Sequence, residues 1–185
     1  MTKKIMFSDK HLLTQAVLSG TKTMTRRLLR DNVPLGNWEE TVKHLPYKVG
    51  EVVAIAQCYK KLYPNADFEM VGNGFMTESA GWNNKMFVRA NLMKRHIRIT
   101  DVKVERLQSI SDDDILREGI YPQRFFNKVE YVFATKGKKN NTPIHRMKIF
   151  PTPREAFAAL IDKISGKGTW ESNPWVVAYS FELVD

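Results

Sequence analysis

Over residues 96–107, "HIRITDVKVERL", apolar Ile97, Ile99, Val102, Val104 and Leu107 alternate with charged side chains, and the period slips by one residue near Thr100 and Asp101. That pattern predicts a long half-buried strand interrupted by a bulge. "KKIMF" predicts a short first strand. In "SDKHLLTQAVLSG" the apolar residues Leu12, Leu13, Ala16, Val17 and Leu18 predict a helix, with Ser8 as N-cap, Asp9 in the first turn and Gly20 ending it. A polar loop with Pro34, Gly36 and Pro46 leads to a turn at Gly50 and a core strand from Val52 to Tyr59.

Residues 60–84 are rich in Asn, Gly and Pro and read as an irregular excursion. "SISDDDILREGI" predicts a short helix capped by Ser111, with three aspartates in its first turn and Gly119 as its stop. Residues 121–150 are expected as a second irregular insertion, within which "KGKKNNTP" reads as an exposed basic loop. "TPREAFAALIDKISG" follows as an amphipathic helix with Thr152 as cap and Pro153 in its first position. "NPWVVAYSFELV" predicts a closing strand. The helices are too few and too short for regular strand–helix–strand crossovers, so the expected class is α+β, a closed mixed β-barrel with peripheral helices. No repeat or linker divides the 185 residues, and one domain is expected.

Charge changes this picture. Twenty-nine Lys and Arg against 20 Asp and Glu leave a net +9. Residues 1–31 carry +5, residues 85–106 carry +5 and residues 124–154 carry +7, while the rest of the chain is acidic. Three basic blocks on one face would suit a phosphate backbone, whereas scattered they would only keep a surface solvated. Cys58 is the single cysteine, which excludes an intramolecular disulfide, and no apolar run is long enough to span a bilayer. A soluble cytoplasmic protein without membrane contact is the expectation.

The most concentrated chemistry lies in "SGTKTMTRRLLRD", residues 19–31, directly behind the helix-ending glycine. A reversal at Gly20 would let Lys22, Thr25 and Arg27 converge on a ligand. Lysine supplies an amine whose pKa falls on burial, threonine a hydroxyl, and arginine a fork for phosphate or carbonyl oxygen. The same residues would also serve to cap helix carbonyls or to pair with Asp31 and the acidic helix at 112–114.

"GTKTMTRR" resembles the G-x-K-x-x-[ET]-x-R signature of ASCH domains, small barrels related to the PUA fold of RNA-modification enzymes. "YKVGEVVAI", "ITDVKVERLQSISDDDILREGI" and "WESNPWVVAYSFELV" follow in the family's order, resembling its turn into a barrel strand, its central strand with short helix, and its closing strand. The resemblance implies a PUA-like barrel that binds RNA or a nucleoside at the signature; no metal or other cofactor is expected. One branch hydrolyses the acetyl amide of N(4)-acetylcytidine with a lysine, a threonine and a glutamate. Lys22 and Thr25 match the first two, and the glutamate falls on Glu118 in "REGI", where a solvated helix end would also explain it.

Gly20, Arg26 and Arg27 are the expected binding residues around that trio. Larger relatives carry a Pro and a Trp-Ala-Ser-Arg-like run before the central strand; here Lys94, Arg95 and Arg98 keep the charge without the tryptophan. Trp82 is the expected exposed ring, while Trp175 is expected in the core and Trp170 either there or stacked on a base. His11, His44, His96 and His145 show no metal-ligand spacing, and "GNG" at 72–74 lacks the helix and lysine of a phosphate loop. Three functions stay open: an amidohydrolase of acylated cytidine, a non-catalytic RNA-docking module, and a ribonuclease, which would need an acid and a base that the signature does not supply as histidine.

Overall fold

The computed structural model describes residues 2–64, 70–71, 74–140 and 142–185. In chain order the elements are β1 (Lys4–Ile5), α1 (Leu13–Leu18), β2 (Met24–Leu28), α2 (Trp38–His44), β3 (Val52–Ile55) and α3 (Tyr59–Leu62). A short antiparallel pair, β4 (Met70–Val71) and β5 (Gly74–Phe75), precedes β6 (His96–Arg106) and α4 (Asp112–Arg117). Then come β7 (Tyr121–Phe125), β8 (Lys128–Lys139), β9 (Thr142–Phe150), α5 (Pro153–Ser165), α6 (Thr169–Ser172) and β10 (Trp175–Leu183). The class is α+β.

The larger sheet has the order β1-β3-β6-β10-β2, with only the β1–β3 pair parallel. β10 lies between β6 and β2, and Val176 through Phe181 are all buried, because both faces of this central strand are covered. The expected bulge is present: Asp101 faces Ser180 and Ile99 faces Phe181, leaving Thr100 as the extra residue. β1 and β2 form the sheet's two edges and are not hydrogen-bonded to each other, so no closed barrel forms among the described residues. Instead the Arg27 guanidinium donates to the Met6 carbonyl and sits 5.6 Å from the centre of the Phe7 ring. A side chain bridges where barrel closure would need a backbone ladder.

The second sheet, β7-β8-β9, replaces the irregular insertion and basic loop expected over 121–150. Asn140, at φ 49°, turns the β8–β9 ribbon, and the charged "KGKK" run continues the ladder rather than leaving it. α5 lays Pro153, Ala156, Phe157, Leu160 and Ile161 into the core, an i, i+3, i+4, i+7, i+8 stripe that explains its amphipathic pattern. Thr152 caps it by accepting from Glu155 N at 3.2 Å.

Three local expectations are corrected. Ser8 does not cap α1: the helix starts at Leu13, after Leu12 in the left-handed region (φ 56°), and Ser8 closes only the preceding turn by accepting from His11 N. The strand expected through Tyr59 ends at Ile55, and Tyr59 opens α3. The polar loop before Pro46 contains α2, capped by Asn37, which accepts from Glu39 N at 2.9 Å. Of the excursion expected over 60–84, residues 65–69 and 72–73 lie outside the described residues, and with them most of the "GNG" run.

Candidate active site

Gly20 ends α1 as expected. At φ 73° it lets Thr21 N bond Ala16 O at 2.9 Å while its own N–H bonds Val17 O at 3.0 Å, the paired bonds of a Schellman cap. The chain turns back and enters β2, so the signature is an edge strand rather than a loop. Alternation along β2, whose residues pair with Ala178 and Tyr179 of β10, sends Arg26 to one face of the sheet and Thr25 and Arg27 to the other.

Lys22, one residue short of the ladder's approach, turns inward and is 2% exposed. Its Nζ donates to Met24 O at 2.7 Å, to Glu118 O at 2.6 Å and to Glu118 Oε2 at 2.7 Å, so all three ammonium hydrogens are used. Burial pushes its pKa below the ordinary lysine value, with Arg27 and Arg26 adding to the fall and Glu118 opposing it. Glu118 arrives as the C-cap of α4, whose end is fixed by Gly119 at φ 101°.

Arg26 organises the rest. Its Nη1 donates to Glu118 Oε1 at 3.1 Å, its Nη2 to Asp114 Oδ2 at 2.9 Å, and both Nε and Nη2 to Glu105 Oε1 at 2.9 and 2.6 Å. Lys103 closes the group by donating to Asp114 Oδ2 at 2.9 Å. Arg117 Nη1 lies 3.4 Å from Asp114 Oδ1, so four cations, Lys22, Arg26, Lys103 and Arg117, face three carboxylates, Glu105, Asp114 and Glu118. Burial works against the Arg26 charge, yet these carboxylates outweigh it and raise its pKa. Burial likewise pushes the Asp114 carboxyl up, and hydrogen bonds from Lys103 and Arg26 overcome it and hold it below its usual value.

A cavity of about 50 Å³ runs along the free edge of β2, lined by Lys22, Thr25, Arg27 and Glu118 on one side and by Leu160 and Ile164 of α5 on the other. Ordinary ligand pockets hold roughly 300–1,000 Å³, so a whole nucleoside does not fit inside this space. Thr25 is buried, 5% exposed.

The other expected binding residues lie elsewhere. Arg98 pairs with Glu182 at 3.2 Å on the surface of β6, roughly 23 Å along that strand from Glu105. Lys94 donates to Leu62 O at 3.2 Å and covers the Tyr63 ring, and Arg95 precedes β6 at the same end. Trp82 is half-buried rather than exposed. Trp175 is corrected from core to surface: it is 37% exposed, at the start of β10, with Arg106 4.6 Å from its ring centre. Trp170 packs edge-on against Phe157.

With Lys22, Arg26 and Arg27 turned inward, the first basic block does not supply a full set of surface charges. Glu105 is not marked by the sequence pattern as a site residue, and Asp114 stands out there only as an aspartate suited to a helix start. A charged pair inside a half-buried strand, Lys103 and Glu105 beside Val102 and Val104, is the signal that was available. Among the described residues no group of three His, Cys, Asp or Glu side chains is placed to hold a metal ion, and no helix is long and apolar enough to cross a membrane. Comparison with protein-family models, with curated proteins and with solved structures finds no match to this chain.

Proposed function

We propose that this chain is an amidohydrolase that removes a small acyl group from the exocyclic amine of a nucleoside, with N(4)-acetylcytidine as the substrate to test. The observation that carries the reading is the Lys22–Glu118 pair, 2.7 Å between Nζ and Oε2 and 96 positions apart in sequence, in a cleft that Thr25 also lines. A PUA-like relation to ASCH domains is part of the proposal. The Gly20 cap that turns Lys22 inward supports it.

Burial lowers the Lys22 pKa, and as the reaction begins Lys22 hands its proton to Glu118 Oε2, 2.7 Å away, leaving a neutral amine. That amine takes the Thr25 hydroxyl proton as Oγ1 attacks the acyl carbon. The carbon–nitrogen bond breaks, and Glu118 returns its proton to the departing amine. Water, deprotonated in the same way, hydrolyses the acyl-threonine and releases the carboxylic acid. The acyl group fills the small cavity, while base and ribose stay at its mouth.

Purified protein incubated with N(4)-acetylcytidine should release cytidine and acetate. Thr25→Val, which removes the hydroxyl at nearly unchanged side-chain volume, should lower the rate at least about 100-fold with the fold retained. Lys22→Arg should also fail, since a guanidinium stays protonated. No turnover by wild-type protein across a panel of N(4)-acylated cytidines overturns the reading. RNA docking would then be the better account, favoured by the β8–β9 ribbon, where Lys138, Lys139, Arg146 and Lys148 are exposed and no acidic residue occurs from 131 to 154.

A further inference from the structure

A cleft separate from the Lys22 cavity lies between α1 and the β7-β8-β9 sheet and has two lobes. The first, about 230 Å³, is walled by Leu12, Leu13, Leu116 and Ile120, with Ala134 and Tyr121 from the sheet. The second, about 300 Å³, is lined by Leu12 and Leu18 together with Gln57, Lys61, Lys136 and His145. Leu12 and Gln15 line both lobes, so the two adjoin across a single helical ridge. Leu13 is the one residue the cleft shares with the Lys22 cavity.

The lobes differ in chemistry. In the first, apolar walls stand beside a buried histidine: His11 is 4% exposed, packs edge-on against Phe133, and its Nδ1 has no hydrogen-bond partner among the described residues. Burial, with Lys10 and Lys163 nearby, lowers its pKa and favours a neutral ring. Apolar walls with the Gln15 amide among them suit a ligand that is flat and apolar on its faces and polar at its edge. The second lobe gathers two lysines and a histidine. Its one carboxylate, Asp9, is already paired with Lys85 at 3.0 Å, so the balance there is cationic.

Leu12 adds an independent observation. A leucine at φ 56° is in the left-handed region, a conformation kept only where surrounding structure enforces it, and Leu12 sits where the two lobes meet. A backbone bond ties the ribbon to the turn that precedes α1: Lys136 N donates to Lys10 O at 2.7 Å.

We propose that this cleft binds a nucleoside monophosphate, with the heteroaromatic ring between the apolar walls beside His11 and the phosphate against Lys61, Lys136 and His145. The ring meets apolar side chains on its faces, and its edge atoms reach the Gln15 amide. The phosphate accepts charge-assisted hydrogen bonds from the two ammonium groups. The site stands apart from the deacylation proposed at Lys22.

The test is titration calorimetry of the full chain with the four ribonucleoside 5′-monophosphates, the four nucleosides and inorganic phosphate, joined to amide chemical-shift mapping. At least one monophosphate should bind and shift the amides of Leu12, Gln15, Ile120 and Lys136. Its nucleoside should bind about tenfold more weakly or worse. Lys61→Ala and Lys136→Ala, both at exposed positions, should each weaken the monophosphate about five- to tenfold and leave the nucleoside unchanged. Ala134→Phe, which fills the apolar lobe, should weaken both. Thr25→Val should leave monophosphate binding intact, which separates this site from the Lys22 cavity. The proposal is overturned if no monophosphate binds below millimolar concentration, if inorganic phosphate binds as well as the monophosphates, or if the lysine variants leave monophosphate affinity unchanged.

Discussion

Lys22→Met weighs the buried charge network directly, because methionine keeps most of the side-chain volume and removes only the ammonium. Three bonds of 2.6 to 2.7 Å disappear, leaving the carbonyls of Met24 and Glu118 without this donor. The Glu118 carboxylate, 6% exposed, keeps Arg26 alone, at 3.1 Å. Removing one partner of a buried ion pair costs about 3–5 kcal/mol, because the remaining charge stays desolvated. For a chain of this length that lowers the unfolding midpoint by roughly 6–20 °C. Thermal and urea unfolding followed by circular dichroism would measure it. Lys22→Met/Glu118→Leu removes both charges and should be less destabilised than the sum of the single variants by at least about 1 kcal/mol. A Lys22→Met cost below about 1 kcal/mol, or additive single variants, would refute the buried pair and the pKa argument built on it.

Two further outcomes follow from the same cluster. Because its folded pKa lies below its unfolded value, Asp114 adds stability that is present above the ordinary carboxylate range, about pH 4, and is lost as pH falls toward the folded value. Urea midpoints measured from pH 7 down to pH 3 should fall more steeply for wild type than for Asp114→Asn; parallel curves would contradict this. Gly119→Ala should destabilise by at least about 1 kcal/mol and slow deacylation, because Gly119 sits at φ 101° and an added Cβ would lie 3.0 Å from Leu13 Cδ2 and 3.6 Å from Lys22 Cδ. Unchanged stability in denaturant titration would show that the α4 terminus is not what positions Glu118.

The comparison of sequence with structure divides by range. Thr152 and Pro153 starting α5, Ser111 capping α4, Gly20 ending α1 and the slipped alternation at Thr100 are all local devices, each acting within a few residues, and each is where its pattern placed it. α2 carried equally local signals in Asn37, Glu39 and Glu40, but Pro34, Gly36 and Pro46 around it argued for a loop. Leu12 carries no such signal. Its left-handed backbone follows from packing around α1, and it displaced the helix start from Ser8.

Chemistry-bearing residue types at 22, 25 and 118 were legible, since short spacings identify which side chains are available. Their environment was not, because it depends on contacts between residues 79 to 96 positions apart: Arg26 with Glu105 and Glu118, and Lys22 with Glu118. A sequence pattern assigns a charge without its solvation. Only the meeting of β2, β6 and α4 beneath α5 turned an apparently basic surface stretch into an ion-pair network with a buried centre at Lys22, Arg26 and Glu118, and only the edge-to-edge gap bridged by Arg27 left the larger sheet open where a barrel was expected. The sequence by itself determined which groups exist and where helices and strands can begin and end. Tertiary structure decided which of those groups lose water, and desolvation is what converts an ordinary lysine into a buried one with a lowered pKa.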